Sequence, residues 1–449
     1  MKGAVVFLSL LLLLSSNASA DDFGGEAAQG SYAAGNSVEN NPPVISHTPL
    51  PPQPRDERIT IEATIVGDPA GVSVKLYYRQ GGEIDFTDES MSGSGNAFRG
   101  TIPASEVRSR GVEYFIEATD GAETTRLPVA GNFSIPIEIG SQRKQTAQPH
   151  GSAQNAYRLI SVPFELVDKS PGAVLEDDLG KYDDTKWRFS EPLNQAYTEF
   201  PNTSPLVPGK AFWLIVMEAG KVIDIDDGIS NRTDAKYAVA LRPQWNFIGN
   251  PFNFRIPAAK LSLKSSGQSP RLYFYDGTWS SPEFVQVNEL EPFEGYALYN
   301  DSPTGDTLFV DPDLSSTGTL RPESHETLWS IRILAHSRQT RDVNNVATVV
   351  PEACRARDRR DHPEPPVIGE YVSVYFPHRD WAPPSPGYCT DARPEFGRGE
   401  IWEFEVITNI RDRVNLTFAG LEEVPEEFEI WIVDEALQLS QNRKVKICI

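Results

Sequence analysis

Three features of the sequence predict an all-β chain of tandem β-sandwich domains with an internally duplicated central β-domain. Apolar and polar residues alternate, as in Ile59, Ile61, Ala63 and Ile65 against Thr60, Glu62 and Thr64, and a period of two puts one side of a strand in a core and the other in water. Gly and Pro are plentiful, at 33 and 36, and aromatics make up 10%, which suits short strands and tight turns better than long helices. One unit is also written twice. Tyr157-Arg-Leu-Ile-Ser-Val-Pro-Phe164 matches Trp245-Asn-Phe-Ile-Gly-Asn-Pro-Phe252, and Pro208-Gly-Lys-Ala-Phe-Trp213 stands opposite Pro292-Phe-Glu-Gly-Tyr-Ala297. Self-similarity of this kind is the strongest guide to architecture that a single sequence carries.

In chain order, residues 1–20 read as a secretory signal. Lys2 supplies the charge, Val5 to Leu14 the apolar core and Ala18-Ser19-Ala20 the cleavage site, with cleavage after Ala20. That core is shorter than the roughly 20 apolar residues of a membrane span, so the mature chain is expected to be secreted, extracellular or at the cell surface, without a transmembrane segment. Residues 21–41 are a Gly/Ala/Ser/Asn lead-in too poor in large apolar residues to bury a core. The first sandwich is expected over 42–139, where Val72, Val74 and Leu76, then Tyr114, Ile116 and Ala118, alternate between turn clusters.

Residues 140–155 form a polar linker, and the duplicated domain follows over 156–313, with copies at about 156–240 and 241–313. Each copy runs an apolar strand into Pro-Phe and continues through an aromatic strand, Lys186-Trp-Arg-Phe189 or Arg271-Leu-Tyr-Phe-Tyr275. Asp276-Gly277 signals a hairpin. The prolines at 163 and 251 lack a donor, so these strands should end there or lie at an edge. Ser170–Leu179 and Ile256–Leu261 occupy equivalent places, each suited to a short helix. The two units are expected to pack face to face, since one small sheet leaves an apolar side uncovered. Residues 314–323 are a second linker. A third sandwich over 324–449 alternates at Trp329, Ile331, Ile333 and Ala335, at Trp402, Phe404 and Val406, and at Phe428, Ile430 and Ile432. It reads as truncated, short of its last strand or strands.

Some of these residues carry a family likeness. Pro42-Pro43-Val44-Ile45, Val74-Lys-Leu-Tyr-Tyr-Arg79 and Gly111-Val-Glu-Tyr-Phe-Ile-Glu-Ala-Thr-Asp120 resemble the fibronectin type III or Ig-like modules of exported bacterial proteins. The duplicated region resembles repeats of large secreted bacterial proteins that read aromatic-x-Leu-Ile-Ser-x-Pro and then Pro-Gly-x-Gly-Tyr-Trp. Glu364-Pro-Pro-Val-Ile-Gly-Glu-Tyr-Val-Ser-Val-Tyr-Phe-Pro-His378 is similar to a segment found ahead of C-terminal, type IX-like sorting modules. These likenesses imply folds and an exported setting, and carry no activity with them.

The net charge of −22 argues against nucleic acid or an anionic membrane as partner, because both demand a basic face. Three cysteines are too few for a disulfide-stapled fold. Cys354 and Cys389 are available as one pair, with Cys448 left over. No Gly-x-Ser-x-Gly elbow or nucleotide-binding loop occurs, and the six histidines are scattered without metal-ligand spacing. His325-Glu326 opens like a zinc-protease helix motif, but position 329 is Trp rather than the second His. No cofactor is expected. A weak structural calcium site remains the alternative at Asp224-Ile-Asp-Asp-Gly228, at Asp342, Asn344 and Asn345, or at Asp358, Asp361 and Glu364, where solvated turns explain the residues equally. Tyr275, Trp279, Trp381 and Tyr388 lie near Gly, Pro or Asp rather than within alternating runs, so they are candidate surface rings for ligand stacking, against the alternative of rings covering sheet ends. The expected function is a non-catalytic secreted or cell-surface structural or binding protein, an adhesin or scaffold, whose partner is an extracellular protein or a polysaccharide. Carbohydrate binding through loop aromatics is the first alternative, and the ancillary region of a secreted hydrolase the second.

Overall fold

The computed structural model describes residues 42–442 apart from 67–70, 141–156, 194–195, 219, 278–282, 316–326, 339, 382–386, 397–398 and 435–438. The leader expected to end at Ala20, the 21–41 stretch, nearly all of both expected linkers, Trp279 and Cys448 lie outside the described residues. Within them the chain is all-β, with several antiparallel sheets and one α-helix. No described helix is long and apolar enough to cross a membrane.

Strand Ile59–Val66 buries Ile59, Ile61, Ala63 and Ile65 and exposes the residues between them. It pairs antiparallel with Val44–Ser46 and Ala97–Ile102, and Ser92–Ser94 completes this sheet. The facing sheet is built on Ser73–Gln80 and Val112–Thr119, paired from Ser73↔Thr119 to Gln80↔Val112. Thr87–Ser90 borders the first of these, while Thr124–Leu127 and Phe133–Ile135 share the far edge of the second. Ile61, Leu76, Tyr114 and Ile116 fill the space between the sheets without exposure.

The middle region holds two four-stranded sheets with the same order of connections. The first runs Arg158–Ser161, Ala211–Val216, Trp187–Leu193, Ala196–Glu199, and the second Gln244–Gly249, Gly295–Asn300, Leu272–Asp276, Glu283–Val287. Their first strands stop at Ser161 and Gly249, ahead of Pro163 and Pro251. The sheets meet through Leu159, Ala211 and Trp213 on one side and Trp245, Phe247 and Ala297 on the other. Glycine sets the spacing. A Cβ at Gly249 would stand 2.2 Å from that of Ser161, and one at Gly295 2.6 Å from that of Ala211.

Each sheet's other face has a core of its own. Val174, Leu175 and Leu179 of helix Pro171–Leu179 cover the first, and strands Tyr237–Leu241, Leu261–Leu263 and Asp306–Val310 cover the second. The central strands are therefore buried on both sides, which is why Ala211–Val216 is a continuous apolar run rather than an alternating one. The helix expected over Ile256–Leu261 is a two-residue strand followed by one 3₁₀ turn, Ala258–Lys260, because Leu261 already pairs in the covering sheet.

In the third region Arg341–Val349 pairs antiparallel with Trp329–His336 and parallel with Thr390–Arg393. Asn415–Ala419 borders Trp329–His336. The pair Val372–Tyr375 and Glu405–Thr408 adds Val374 to a core with Ile333, Ala335, Ala347 and Phe376. Two strands are shorter than the alternation predicts. Trp402 precedes Glu405–Thr408 and packs against Trp329 and Phe396, and Phe428 precedes Trp431–Asp434 and packs on Phe396.

The regions are fused by buried polar joints. Ile137 pairs with Gln53, and its N–H donates to Ser230 Oγ at 2.8 Å while its carbonyl accepts from Ser230 N at 2.9 Å. Thr233 N donates to Ser134 Oγ at 2.9 Å. Arg79 forms a fully buried ion pair with Glu113 at 2.6 Å and reaches Asp313 at 3.5 Å. Inside the middle region Asn231 Nδ2 donates to both Pro163 O, at 3.2 Å, and Pro251 O, at 2.5 Å, bracketing the two Pro-Phe segments.

Candidate binding cleft

The stretch Glu364-Pro-Pro-Val-Ile-Gly-Glu-Tyr371 contains two prolines and a Gly369 at φ 64°, so it crosses from the third region to the middle region without joining a sheet. Side chains pin it from both regions. Trp245 Nε1 donates to Glu364 O at 3.1 Å and the Tyr197 hydroxyl to Val367 O at 2.7 Å. Asn409 Nδ2 donates to Gly369 O at 2.7 Å, and its Oδ1 accepts from Tyr371 N at 2.9 Å. Backbone groups without ladder partners are thereby satisfied.

A cleft of ≈ 460 Å³ opens beside this segment, within the roughly 300–1,000 Å³ typical of small-ligand sites. Tyr157, Arg188, Ser190, Tyr197 and Glu199 form one wall, and Ile368, Gly369, Glu370 and Asn409 the other. Strand alternation builds the first wall. Trp187 and Phe189 are buried in the core beneath, which turns Arg188 and Ser190 outward, and Ser190 lies opposite Glu199 in the neighbouring strand.

Arg188 and Glu199 form a two-pronged pair, Nε to Oε1 at 2.6 Å and Nη2 to Oε2 at 2.8 Å, and the Tyr182 hydroxyl donates to the same Oε1 at 3.0 Å. Hydrogen bonding to Arg188 holds the Glu199 carboxyl below its usual range, and the same bond raises the guanidinium. On the facing wall Glu370 has no partner among the described residues.

Behind Ile368 and Glu370 lies a second cavity of ≈ 60 Å³. Glu364 contributes to its wall, with Oε1 accepting from Ser373 Oγ at 2.8 Å and Oε2 buried without a donor among the described residues. Burial, together with the Asp342 carboxylate, pushes Glu364 well above the usual range and favours its neutral form.

The rings expected at the surface lie elsewhere. Tyr275, Trp381 and Tyr388 are 5%, 7% and 0% exposed, a correction that removes them as stacking platforms. Tyr275 meets Trp213 edge-on at 5.1 Å inside the joint of the two central sheets. Trp381 stacks on His378 at 3.5 Å and meets Tyr388 at 4.9 Å. A loop position next to Gly or Pro does not keep a ring out of a core, because large rings have the most apolar area to bury. Cys354 and Cys389, whose pairing the sequence leaves open, are both free thiols. Cys389 is buried with Sγ 3.5 Å from Pro363 O, whereas Cys354 is exposed.

The oxygen-rich loops separate. Carboxylate oxygens of Asp177, Asp178 and Asp224 lie within 4.8 Å of one another and are the described group able to hold a cation. Asp224 belongs to the predicted loop, while the two residues at the end of the helix carried no sequence signal. Asp342 and Asp361 are instead tied to backbone, accepting from Val374 N at 2.7 Å and Ala392 N at 2.9 Å. Arg188, Tyr197, Glu199 and Glu370 were missed by sequence reasoning. The outward register of Arg188 and Ser190 against Trp187 and Phe189 was the available signal for the first wall; nothing local places Glu370 opposite it. The chain matches no protein-family model, and no curated protein matches it.

Proposed function

We propose that the chain is an exported, non-catalytic structural or binding protein of the cell surface or the surrounding medium, whose partner is an extracellular protein or polysaccharide. The observation that supports it best is the set of polar joints, Ser134 to Thr233, Ile137 to Ser230 and Asn231 to both prolines. Joints of this kind hold modules in a fixed relation, as a scaffold requires. In this reading the first module is fibronectin type III or Ig-like, consistent with its two facing antiparallel sheets. The central sheets are two copies of one unit, supported by their identical strand order and by the paired Pro-Phe segments. The leader is removed after Ala20. The test is intact mass and location in the native host, together with assays of the purified mature chain on peptide, glycan and ester substrates with and without calcium. The expected result is an exported chain beginning at Asp21 that turns over none of them. An uncleaved chain retained inside the cell, or turnover of any substrate, overturns the proposal.

A further inference from the structure

We infer that the ≈ 460 Å³ cleft between the first central sheet and the 364–371 segment binds an uncharged sugar residue of a polysaccharide. The inference rests on the binding function proposed above and gives it a ligand class. Charge distribution carries it first. Arg188 stands on one wall with Glu199, and Glu370 on the other. The Arg188–Glu199 pair is neutral as a whole and Glu370 is a lone carboxylate, so an anionic ligand is disfavoured, and the walls otherwise offer hydrogen-bonding groups of both kinds. A neutral polyol suits both kinds, because every hydroxyl both donates and accepts.

The unused groups match that chemistry. The Glu199 pair engages Nε and Nη2 of Arg188, which leaves Nη1 able to donate to a ligand oxygen. Glu370 is an acceptor without a partner among the described residues and lines the opposite wall. Planar forks of this kind suit vicinal hydroxyls, and Tyr197, 40% exposed, supplies a ring for the apolar face of a sugar. The walls are also set before binding. Tyr197 is anchored to Val367 O at 2.7 Å, and Asn409 holds Gly369 and Tyr371 on either side of Glu370, so little order has to be gained when a ligand arrives.

The test is titration calorimetry of the mature protein with soluble hexasaccharides of glucose, mannose, xylose and N-acetylglucosamine, alongside polygalacturonate and an oligolysine peptide. Saturable binding of a neutral hexasaccharide is expected, weakened about tenfold or more in Glu370→Ala and in Arg188→Ala. Tyr197→Phe, which keeps the ring and loses the Val367 bond, should bind more tightly than Tyr197→Ala. Unchanged thermal midpoints establish that the variants are folded. Three results overturn the inference: no binding of any neutral hexasaccharide, binding of the charged probes alone, or neutral-sugar binding that the variants leave intact. An exported, catalytically silent chain that binds no sugar loses this ligand class and keeps the scaffold function.

Discussion

At the scale of single residues, the molecule depends on a few buried polar groups whose partners are distant in sequence. Arg79 and Glu113 are both 2% exposed at the side chain and 2.6 Å apart. Burial pushes the Glu113 carboxyl upward against the opposing pull of Arg79. Arg79→Met leaves that carboxylate unpaired, and a loss of about 3–5 kcal/mol in urea unfolding is expected; a loss near zero would mean the pair is not buried as described. Asp361 is shifted in the same direction, with no cation among the described residues holding it back. Burial, then the nearby Asp358 and Asp391 carboxylates, raise it from its ordinary 3.8 to about 7. The unfolded chain releases this proton first, so the associated stability is complete below about pH 3.8 and lost as pH rises through about 7. The thermal midpoint should therefore fall across that window in wild type, and less steeply in Asp361→Asn. Equal slopes would remove Asp361 as the source. The cysteines give a third check. Native alkylation followed by peptide mass analysis should label exposed Cys354 and spare buried Cys389; a Cys354–Cys389 disulfide would contradict the fold around Pro363.

At the scale of elements, the clearest strands were those with one wet face, although the alternation at Trp402 and Phe428 ran ahead of the strands that follow them. Ile59–Val66 follows its alternation without exception, because water on one side and core on the other write the period into the residues. The central strands are buried on both sides, and their apolar runs announce burial without a face. What was illegible is contact between elements. Gly249 looks like an ordinary small residue, yet the opposing sheet leaves it no room for a Cβ. Gly249→Ala should cost about 1–3 kcal/mol by overpacking, measured by denaturant midpoint, and a neutral outcome would place the sheets further apart. Asn231 lies in an Asn-Arg-Thr sequon by sequence, but it is buried and its amide already serves two carbonyls. Trp381 and Tyr388 were misread for the same reason, since loop residues close the end of the third core. The cleft was half legible, because strand register places Arg188 and Ser190 outward while the wall bearing Glu370 arrives from far along the chain.

At the scale of the whole molecule, the described residues between 42 and 442 belong to one compact unit. The cleft has walls from two regions, and the Ser134–Thr233 and Ile137–Ser230 bonds that join the first and middle regions would be lost if those regions separated. These regions are expected to unfold together, because hydrogen bonds and the cleft walls span them. Differential scanning calorimetry of the mature chain, wild type beside Arg79→Met and Asn231→Ala, tests it most directly. A single transition that both substitutions shift as a whole is the expected result. Two or three resolved transitions, each moved by only one of the substitutions, would contradict the account and leave the cleft between independently folding modules.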